Sequence, residues 1–171
     1  STVSGLTFDL TGGSITAISE TGSGAINATV SGNTFSNFDS TTVDIRPENI
    51  DDSNVDTLEI SGNTFESDSV GAISVDVQDL TDANDIDEVV IDNNNLDLTG
   101  GAGITVDAAA GTPDFEAVNL NSNTIDGNDN DLSAIELAPN NAFTANVNVD
   151  GGSVDGVATG IDLSADTGIG D

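Results

Sequence analysis

One seven-residue phrase returns along the chain at nearly constant spacing. Its five copies occupy residues 29–35, 59–65, 90–96, 119–125 and 148–154. The second residue of each copy is apolar, and these apolar residues lie 30, 31, 29 and 29 residues apart. We assign a sixth, irregular copy to residues 9–15. Self-similarity at a fixed period of this length indicates a repeat architecture.

Apolar and polar residues alternate within each repeat. Leu58 and Ile60, and then Ile73 and Val75, show the period of two that predicts strands with one buried face. No segment has a sustained helical period, and Gly, Asn, Asp, Ser and Thr interrupt the chain every few residues. Two or three short strands per repeat, with the same side facing inward each time, describe one coil of a parallel β-solenoid.

The number of repeats sets the predicted architecture. The 171 residues accommodate about six coils of ~30 residues in a single all-β domain, which is a parallel β-helix. We expect residues 1–28 to form a shorter, irregular first coil and residues 29–171 to form the regular coils. Neither end has the pattern of an amphipathic helix, so no capping helix is predicted.

Asparagine recurs at the fifth position of the phrase. The residues at this position are Asn33, Asn63, Asn94 and Asn123. If the coils stack in register, these side-chain amides can hydrogen-bond from coil to coil as a ladder. Alternatively, each asparagine serves only to accommodate a left-handed turn conformation. The ladder is favoured because glycine replaces asparagine in the first and last copies alone, at Gly13 and Gly152.

A second motif completes each coil and carries a resemblance to a known superfamily. A small residue, Ile, any residue, and then Val or Leu occur at residues 72–75, 103–106, 134–137 and 160–163. Together with the asparagine phrase, this motif resembles the coil pattern of the right-handed parallel β-helix of the pectate-lyase-like superfamily. The resemblance covers about residues 5–165. It implies the architecture and no particular activity, because that fold hosts many functions.

The catalytic motifs of that superfamily are incomplete in this chain. Pectate-lyase relatives use a basic residue, commonly Arg supported by Lys and calcium, whereas this chain has Arg46 and no Lys. Polygalacturonase relatives combine an Asp-Asp pair with His-Gly and Arg-x-Lys elements, and here Asp51 and Asp52 stand without the other two. We therefore predict no catalytic residues and interpret Arg46 as a surface residue.

The residue types that are missing support this interpretation. His, Cys, Tyr, Trp, Lys and Met do not occur in the sequence. Their absence removes the usual general bases, the thiol and amine nucleophiles, and most of the rings that stack on sugars. A glycosidase that uses paired carboxylates alone is the remaining enzymatic alternative.

The net charge restricts the partners. It is -30, from 31 acidic residues and one basic residue. Nucleic acids and anionic membranes bind Lys and Arg surfaces, so neither is an expected partner. No apolar run is long enough to cross a bilayer, and we predict no membrane insertion. A Lys-free, Asp-rich surface favours a high-salt or calcium-rich exterior, so we expect an extracellular or cell-surface protein of a salt-loving microbe.

Three loops combine carboxylate and amide oxygens at alternating positions. Their candidate calcium ligands are Asp52, Asn54 and Asp56, then Asp82, Asn84 and Asp87, and finally Asp126, Asn128 and Asn130. Calcium takes about 6–8 oxygen ligands and relieves the repulsion within a carboxylate cluster. No loop completes an EF-hand, so we predict weak calcium sites. The alternative is solvated turns on an acidic surface, and no other cofactor is predicted.

The predicted function is structural. We expect a non-catalytic extracellular β-helix that is either one module of a longer surface or adhesive protein or a subunit of a head-to-tail filament. Paired glycines let backbones approach closely, so the predicted self-association residues are Gly12, Gly13, Gly151 and Gly152. The alternative function is a carbohydrate-binding or polysaccharide-cleaving β-helix fragment, of the lyase, hydrolase or phage-tailspike type, with an extracellular polysaccharide as its partner.

Overall fold

The computed structural model describes residues 2–9, 15–20, 26–38, 43–47, 55–67, 72–77, 86–100, 102–108, 115–139 and 146–162. Within these ranges the protein consists of β-strands and turns and contains no helix. Its strands are Thr2–Ser4 (β1), Thr7–Asp9 (β2), Ile15–Glu20 (β3), Ile26–Ser31 (β4), Thr34–Phe38 (β5), Val43–Pro47 (β6), Val55–Ser61 (β7), Thr64–Ser67 (β8), Ile73–Val77 (β9), Ile86–Asp92 (β10), Asn95–Leu98 (β11), Ile104–Ala108 (β12), Phe115–Asn121 (β13), Thr124–Pro139 (β14), Asn146–Asn148 (β15) and Ser153–Asp162 (β16).

The strands form two sheets in which the described pairs are parallel. The first sheet has the order β1-β4-β7-β10-β13-β15. In the second sheet, β2-β5-β8-β11 and β3-β6-β9-β12 are two rows that both end on the long strand β14, which also pairs with β16. The prediction of an all-β chain with parallel strands is therefore confirmed. Parallel neighbours cannot be joined by a tight hairpin, which is why successive strands of the chain belong to different rows.

Strand pairing aligns the repeat phrase with itself. Val30 pairs with Ile60 between β4 and β7, and Phe35 pairs with Phe65 between β5 and β8. Because side chains alternate between the two faces of a strand, this register keeps every apolar position on the same side of its sheet.

The first copy of the phrase lies earlier than predicted, and its assignment to residues 9–15 is wrong. β1 and β2 pair with β4 and β5, so that Val3 lies opposite Val30 and Phe8 lies opposite Phe35. The run from Thr2 to Phe8 therefore corresponds to the run from Thr29 to Phe35, and the two differ at one residue.

That single difference falls at the asparagine position, which Leu6 occupies in the first copy. Leu6 lies 27 residues before Asn33, so the first repeat is only slightly shorter than those that follow. The counterpart of Gly151 and Gly152 is thus the Gly5–Leu6 dipeptide. The predicted association residues Gly12 and Gly13 lie outside the described residues.

One hydrophobic cluster collects the inward-facing apolar side chains of both sheets. Its members are at most 3 % exposed, and they include aligned sets such as Ile73, Ile104 and Ile135. Phe35 stacks on Phe65 with ring centroids 5.0 Å apart. Burial of these apolar surfaces is the main contribution to stability, at roughly 25 cal/mol per Å² removed from water.

Candidate functional site

The four asparagines of the repeat lie in the interior and are hydrogen-bonded in series. Asn33, Asn63 and Asn94 are each 1 % exposed, and Asn123 is 6 % exposed. Each Nδ2 donates to the Oδ1 of the next asparagine, over 3.1 Å at the first step and 3.0 Å at the following two. We call this series, from Asn33 to Asn123, the amide chain.

The amide chain also satisfies backbone groups of the neighbouring strands. At Asn63, Oδ1 accepts from the backbone N–H of Asn33 over 2.9 Å as well as from its Nδ2. The Nδ2 of Asn63 donates to Asn94 and also to the carbonyl of Val30, over 2.9 Å. The side chain of Asn94 makes the same four bonds one repeat later. A buried amide is costly unless it is paired, so this pattern binds successive repeats together.

The left-handed conformation belongs to the residue before each asparagine. The residues at that position are Gly5, Gly32, Gly62, Asn93, Ser122 and Gly151, with φ of 64°, 63°, 62°, 54°, 57° and 68°. None of the four asparagines of the amide chain is among the positive-φ residues of the described ranges. The left-handed turn therefore does not explain why asparagine recurs, whereas the hydrogen bonds of its side chain do.

The amide chain ends at residues that have no polar side chain. At one end, Leu6 donates its backbone N–H to Oδ1 of Asn33 over 3.0 Å and offers no further amide. At the other end, Gly152 lies against Asn123 so closely that a Cβ atom would come within 2.8 Å of the Asn123 nitrogen and closer still to its carbonyl oxygen. At this end the Nδ2 of Asn123 donates to the carbonyl of Ile91 over 2.7 Å and to no further asparagine.

Four carboxylates form a row on the outer face of the second sheet. Glu66, Asp97, Asp126 and Asp155 are in register on β8, β11, β14 and β16, and all four are exposed. Strands in a sheet are about 4.8 Å apart, so each carboxylate faces like charges at short range. We call these residues the acidic row. It follows from strand register, which makes it visible only once the pairing is known.

The third predicted calcium loop touches the acidic row. Asn128 has φ 52°, and its N–H donates to Oδ1 of Asp126 over 2.9 Å. Its Nδ2 donates to Oδ1 of Asp97 over 2.7 Å and to the carbonyl of Leu98 over 3.0 Å. Asn128 therefore contacts the row as a hydrogen-bond donor, whereas a calcium ligand would present an oxygen.

Among the other predicted ligands, Asp56 and Asp87 occupy equivalent positions on the paired strands β7 and β10, because Val55 pairs with Ile86 and Thr57 with Glu88. Asp52, Asn54, Asp82 and Asn84 lie outside the described residues, and Asn130 belongs to strand β14. Within the described ranges, no group of three or more His, Cys, Asp or Glu residues is placed to hold a metal ion.

Only some of the residues considered for carbohydrate chemistry lie in the described ranges. Arg46 belongs to strand β6, and Asp51 and Asp52 lie outside the described residues. Phe35, Phe38 and Phe65 are at most 1 % exposed, so these three rings pack in the core. In the part of the chain that the structure describes, no helix is long and apolar enough to span a membrane.

Comparison of the chain with protein-family models, curated proteins and solved structures gave no match.

Proposed function

We propose that this chain is a parallel β-helix that acts as a non-catalytic structural module outside the cell. The observation that carries the proposal is the amide chain, which runs through four successive repeats and links each to the next by buried side-chain and backbone bonds. In the proposed β-helix, each repeat of ~30 residues is one coil.

The three rows of strands support this architecture. The 30-residue spacing of Asn33 and Asn63 recurs in another row, where Val43 pairs with Ile73. Ile73 pairs in turn with Ile104, 31 residues further along the chain. A coil that contributes one strand to each row and returns one strand spacing further along produces this pattern. About six such coils would enclose the continuous apolar core.

A structural role is the use that best fits such a body. Its interior is filled by apolar side chains and paired amides, so the coils reinforce one another along the whole stack. Its outer face bears the acidic row, which suits solvent of high ionic strength or an exterior rich in calcium. We therefore place the protein on the cell surface or in the extracellular space of a salt-adapted microbe, as a module of a surface protein or as a filament subunit.

Carbohydrate cleavage is the alternative that an experiment must exclude. The purified chain is incubated with a panel of neutral and acidic polysaccharides, and the release of reducing ends and of unsaturated uronates is followed. We expect no release above a boiled control, and antibodies against the chain should label intact cells of its source organism. Cleavage that disappears in Asp51→Asn, Asp52→Asn or Arg46→Gln would overturn the proposal, and so would strictly intracellular labelling.

A further inference from the structure

Two backbone hydrogen bonds recur at each junction between successive copies of the phrase. In the first, the left-handed residue donates to a carbonyl of the next copy, as Gly32 does to Ser61 over 3.0 Å. In the second, the residue after the asparagine donates to the asparagine position of the previous copy, as Thr64 does to Asn33 over 2.9 Å. Both bonds are present at all five junctions, from Gly5–Ser31 and Thr34–Leu6 through Ser122–Asp150 and Ser153–Asn123.

In each of the two outermost copies, one donor and one acceptor of these two recurring bonds face the open edge. On the edge formed by β1 and β2, the carbonyl of Ser4 and the N–H of Thr7 have no partner among the described residues. On the edge formed by β15 and β16, the same holds for the N–H of Gly151 and the carbonyl of Gly152. The acceptor and donor of the first edge complement the donor and acceptor of the last.

Apolar side chains are exposed on the same two edges. Leu6 is 50 % exposed on the first edge. On the last edge Val147, Val154 and Ile161 are 41 %, 43 % and 46 % exposed. Their pairing partners Val118, Ile125 and Ile135 are at most 3 % exposed. The inward-facing apolar rows therefore continue into the last copy, where the described residues leave them uncovered.

Neither edge of the first sheet carries the charge that protects exposed strands elsewhere. Edge strands are commonly blocked by charged residues, by Pro or by bulges. β1 and β15 contain no charged residue, although the chain has a net charge of -30 and the central strands β7 and β10 each contain at least two acids. Charge repulsion between molecules is thus low along β1 and β15, whereas β2 and β16, on the other half of the same two edges, contain the acidic residues Asp9 and Asp155.

The residues at the asparagine position occupy equivalent places on the two edges. Leu6 is half-exposed on the first edge, and Gly152 has no side chain on the last. Neither residue carries a side-chain amide, so the amide chain does not continue across the junction.

We propose that the β15–β16 edge of one molecule docks on the β1–β2 edge of a second copy of this chain, with Leu6 in register with Gly152. The junction adds two intermolecular bonds, from Gly151 N–H to the Ser4 carbonyl and from Thr7 N–H to the Gly152 carbonyl. It covers Val154, whose row of paired residues begins at Phe8 on the first edge. The contact is head-to-tail, so it repeats from copy to copy and builds an open filament. This inference rests on the proposed β-helical module and specifies its partner.

Thr7→Pro tests the junction directly. Pro removes the N–H that the junction uses, while the intramolecular bonds of β2 remain, because the Thr7 N–H faces the open edge. Thr7→Ala is the matched control, since it shortens the side chain and keeps the N–H. Self-association is measured by sedimentation velocity over a range of protein concentrations, at about 1 M sodium chloride, where charges are screened beyond about 3 Å.

We expect the wild type and Thr7→Ala to associate, and Thr7→Pro to associate at least about tenfold more weakly with an unchanged melting temperature. If Thr7→Pro does not fold, Val147→Asp supplies the test, because it places a charge on the opposite edge. Its control, Asn95→Asp, adds the same charge at an exposed position of the inner strand β11 and should associate normally.

A wild type that is monomeric at every salt concentration overturns the junction, and so does association that survives both edge substitutions. Neither result bears on the proposed structural role, which is tested by the polysaccharide assays and antibody labelling. Cleavage of a polysaccharide by a chain that also forms filaments would overturn that role and leave the junction standing.

Discussion

Asparagine at one position of the repeat is explained by bonds that no other side chain can make there. The amide both donates and accepts, so it can link a preceding copy to a following one and also satisfy a carbonyl beside it. Aspartate would accept without donating, and serine is too short to join neighbours in the same way. The left-handed residue before it is a separate requirement, which glycine, Asn93 and Ser122 all meet.

Removal of one side-chain amide from the middle of the amide chain should lower the stability of the fold substantially. Asn63→Ala removes the acceptor of the Asn33 backbone N–H, one acceptor of the Asn33 Nδ2, and the side-chain donor to the Val30 carbonyl. We expect it to lower the free energy of unfolding by about 3 kcal/mol, since each buried unsatisfied group costs roughly 1–3 kcal/mol. Asn123→Ala should cost less, because Asn123 is more exposed and donates to Ile91 without a further asparagine beyond it.

The measurement is denaturant unfolding at constant salt. Asn95→Ala is the control, since Asn95 is exposed beside the amide chain, and it should change stability by no more than about 0.5 kcal/mol. Small, equal losses for Asn63→Ala and Asn123→Ala would show that the amide chain contributes little to stability.

At the scale of the strand, the inward-facing positions of the repeat are easier to predict from the sequence than the outward-facing positions. The apolar positions such as Ile60 and Ile91 are recognisable because burial restricts them to a few residue types. Glu66 and Asp97 occupy the same outward-facing position of their copies, and an earlier copy has Ser36 there. Because this position accepts different residue types, the alignment of the two acids is hard to predict from the sequence. The first copy of the phrase escaped recognition because Leu6 replaces the asparagine, although its other residues match the copy from Thr29 to Phe35.

The calcium prediction illustrates a different limit. Alternating Asp and Asn residues favour oxygen ligands on one side of a loop, yet the pattern does not determine which groups converge. Asn128 uses its amide nitrogen to bind Asp97 on the neighbouring strand, and this contact depends on a register that short-range spacing does not contain.

The acidic row should lower stability when salt is low. Asp97 lies between Glu66 and Asp126, so Asp97→Asn removes two short-range repulsions, and its Oδ1 can still accept from Asn128. We expect a gain of roughly 0.2–1 kcal/mol at low ionic strength, the usual range for cross-strand pairs. The gain should vanish at about 1 M salt, where the Debye length is about 3 Å.

Asp92→Asn is the matched control, because the register partners of Asp92 are the uncharged Ser61 and Asn121. It removes the same formal charge from the preceding strand, β10. Equal stabilisation by the two substitutions in thermal unfolding would assign the effect to net charge and not to the row.

At the scale of the whole molecule, charge opposes the compact state. A net charge of -30 on 171 residues repels itself, and the unfolded chain relieves that repulsion by expanding. Burial of the common apolar core must therefore offset a large electrostatic cost in dilute buffer.

We expect the melting temperature to rise steeply with sodium chloride, because screening relieves repulsion more in the compact state than in the expanded one. Differential scanning calorimetry over a series of salt concentrations measures this rise, and a flat series would contradict it.

Calcium chloride at matched ionic strength separates the two interpretations of the acidic loops. Extra stability in calcium identifies sites bound only in the folded state, whereas superimposed curves identify solvated turns.

The constant separation of paired strands has a consequence for how the chain acquires its fold. Residues that pair between neighbouring repeats are about 30 residues apart in the sequence. The separation is 31 residues between Asn63 and Asn94, and 29 between Asn94 and Asn123. The entropy of closing a loop grows only with the logarithm of its length. Each added repeat therefore brings the same closure cost as the one before, and the first contact between two repeats is the slow event. Once one pair has formed, it is a template whose open edges lower the barrier for the next, so growth in either direction should outpace nucleation.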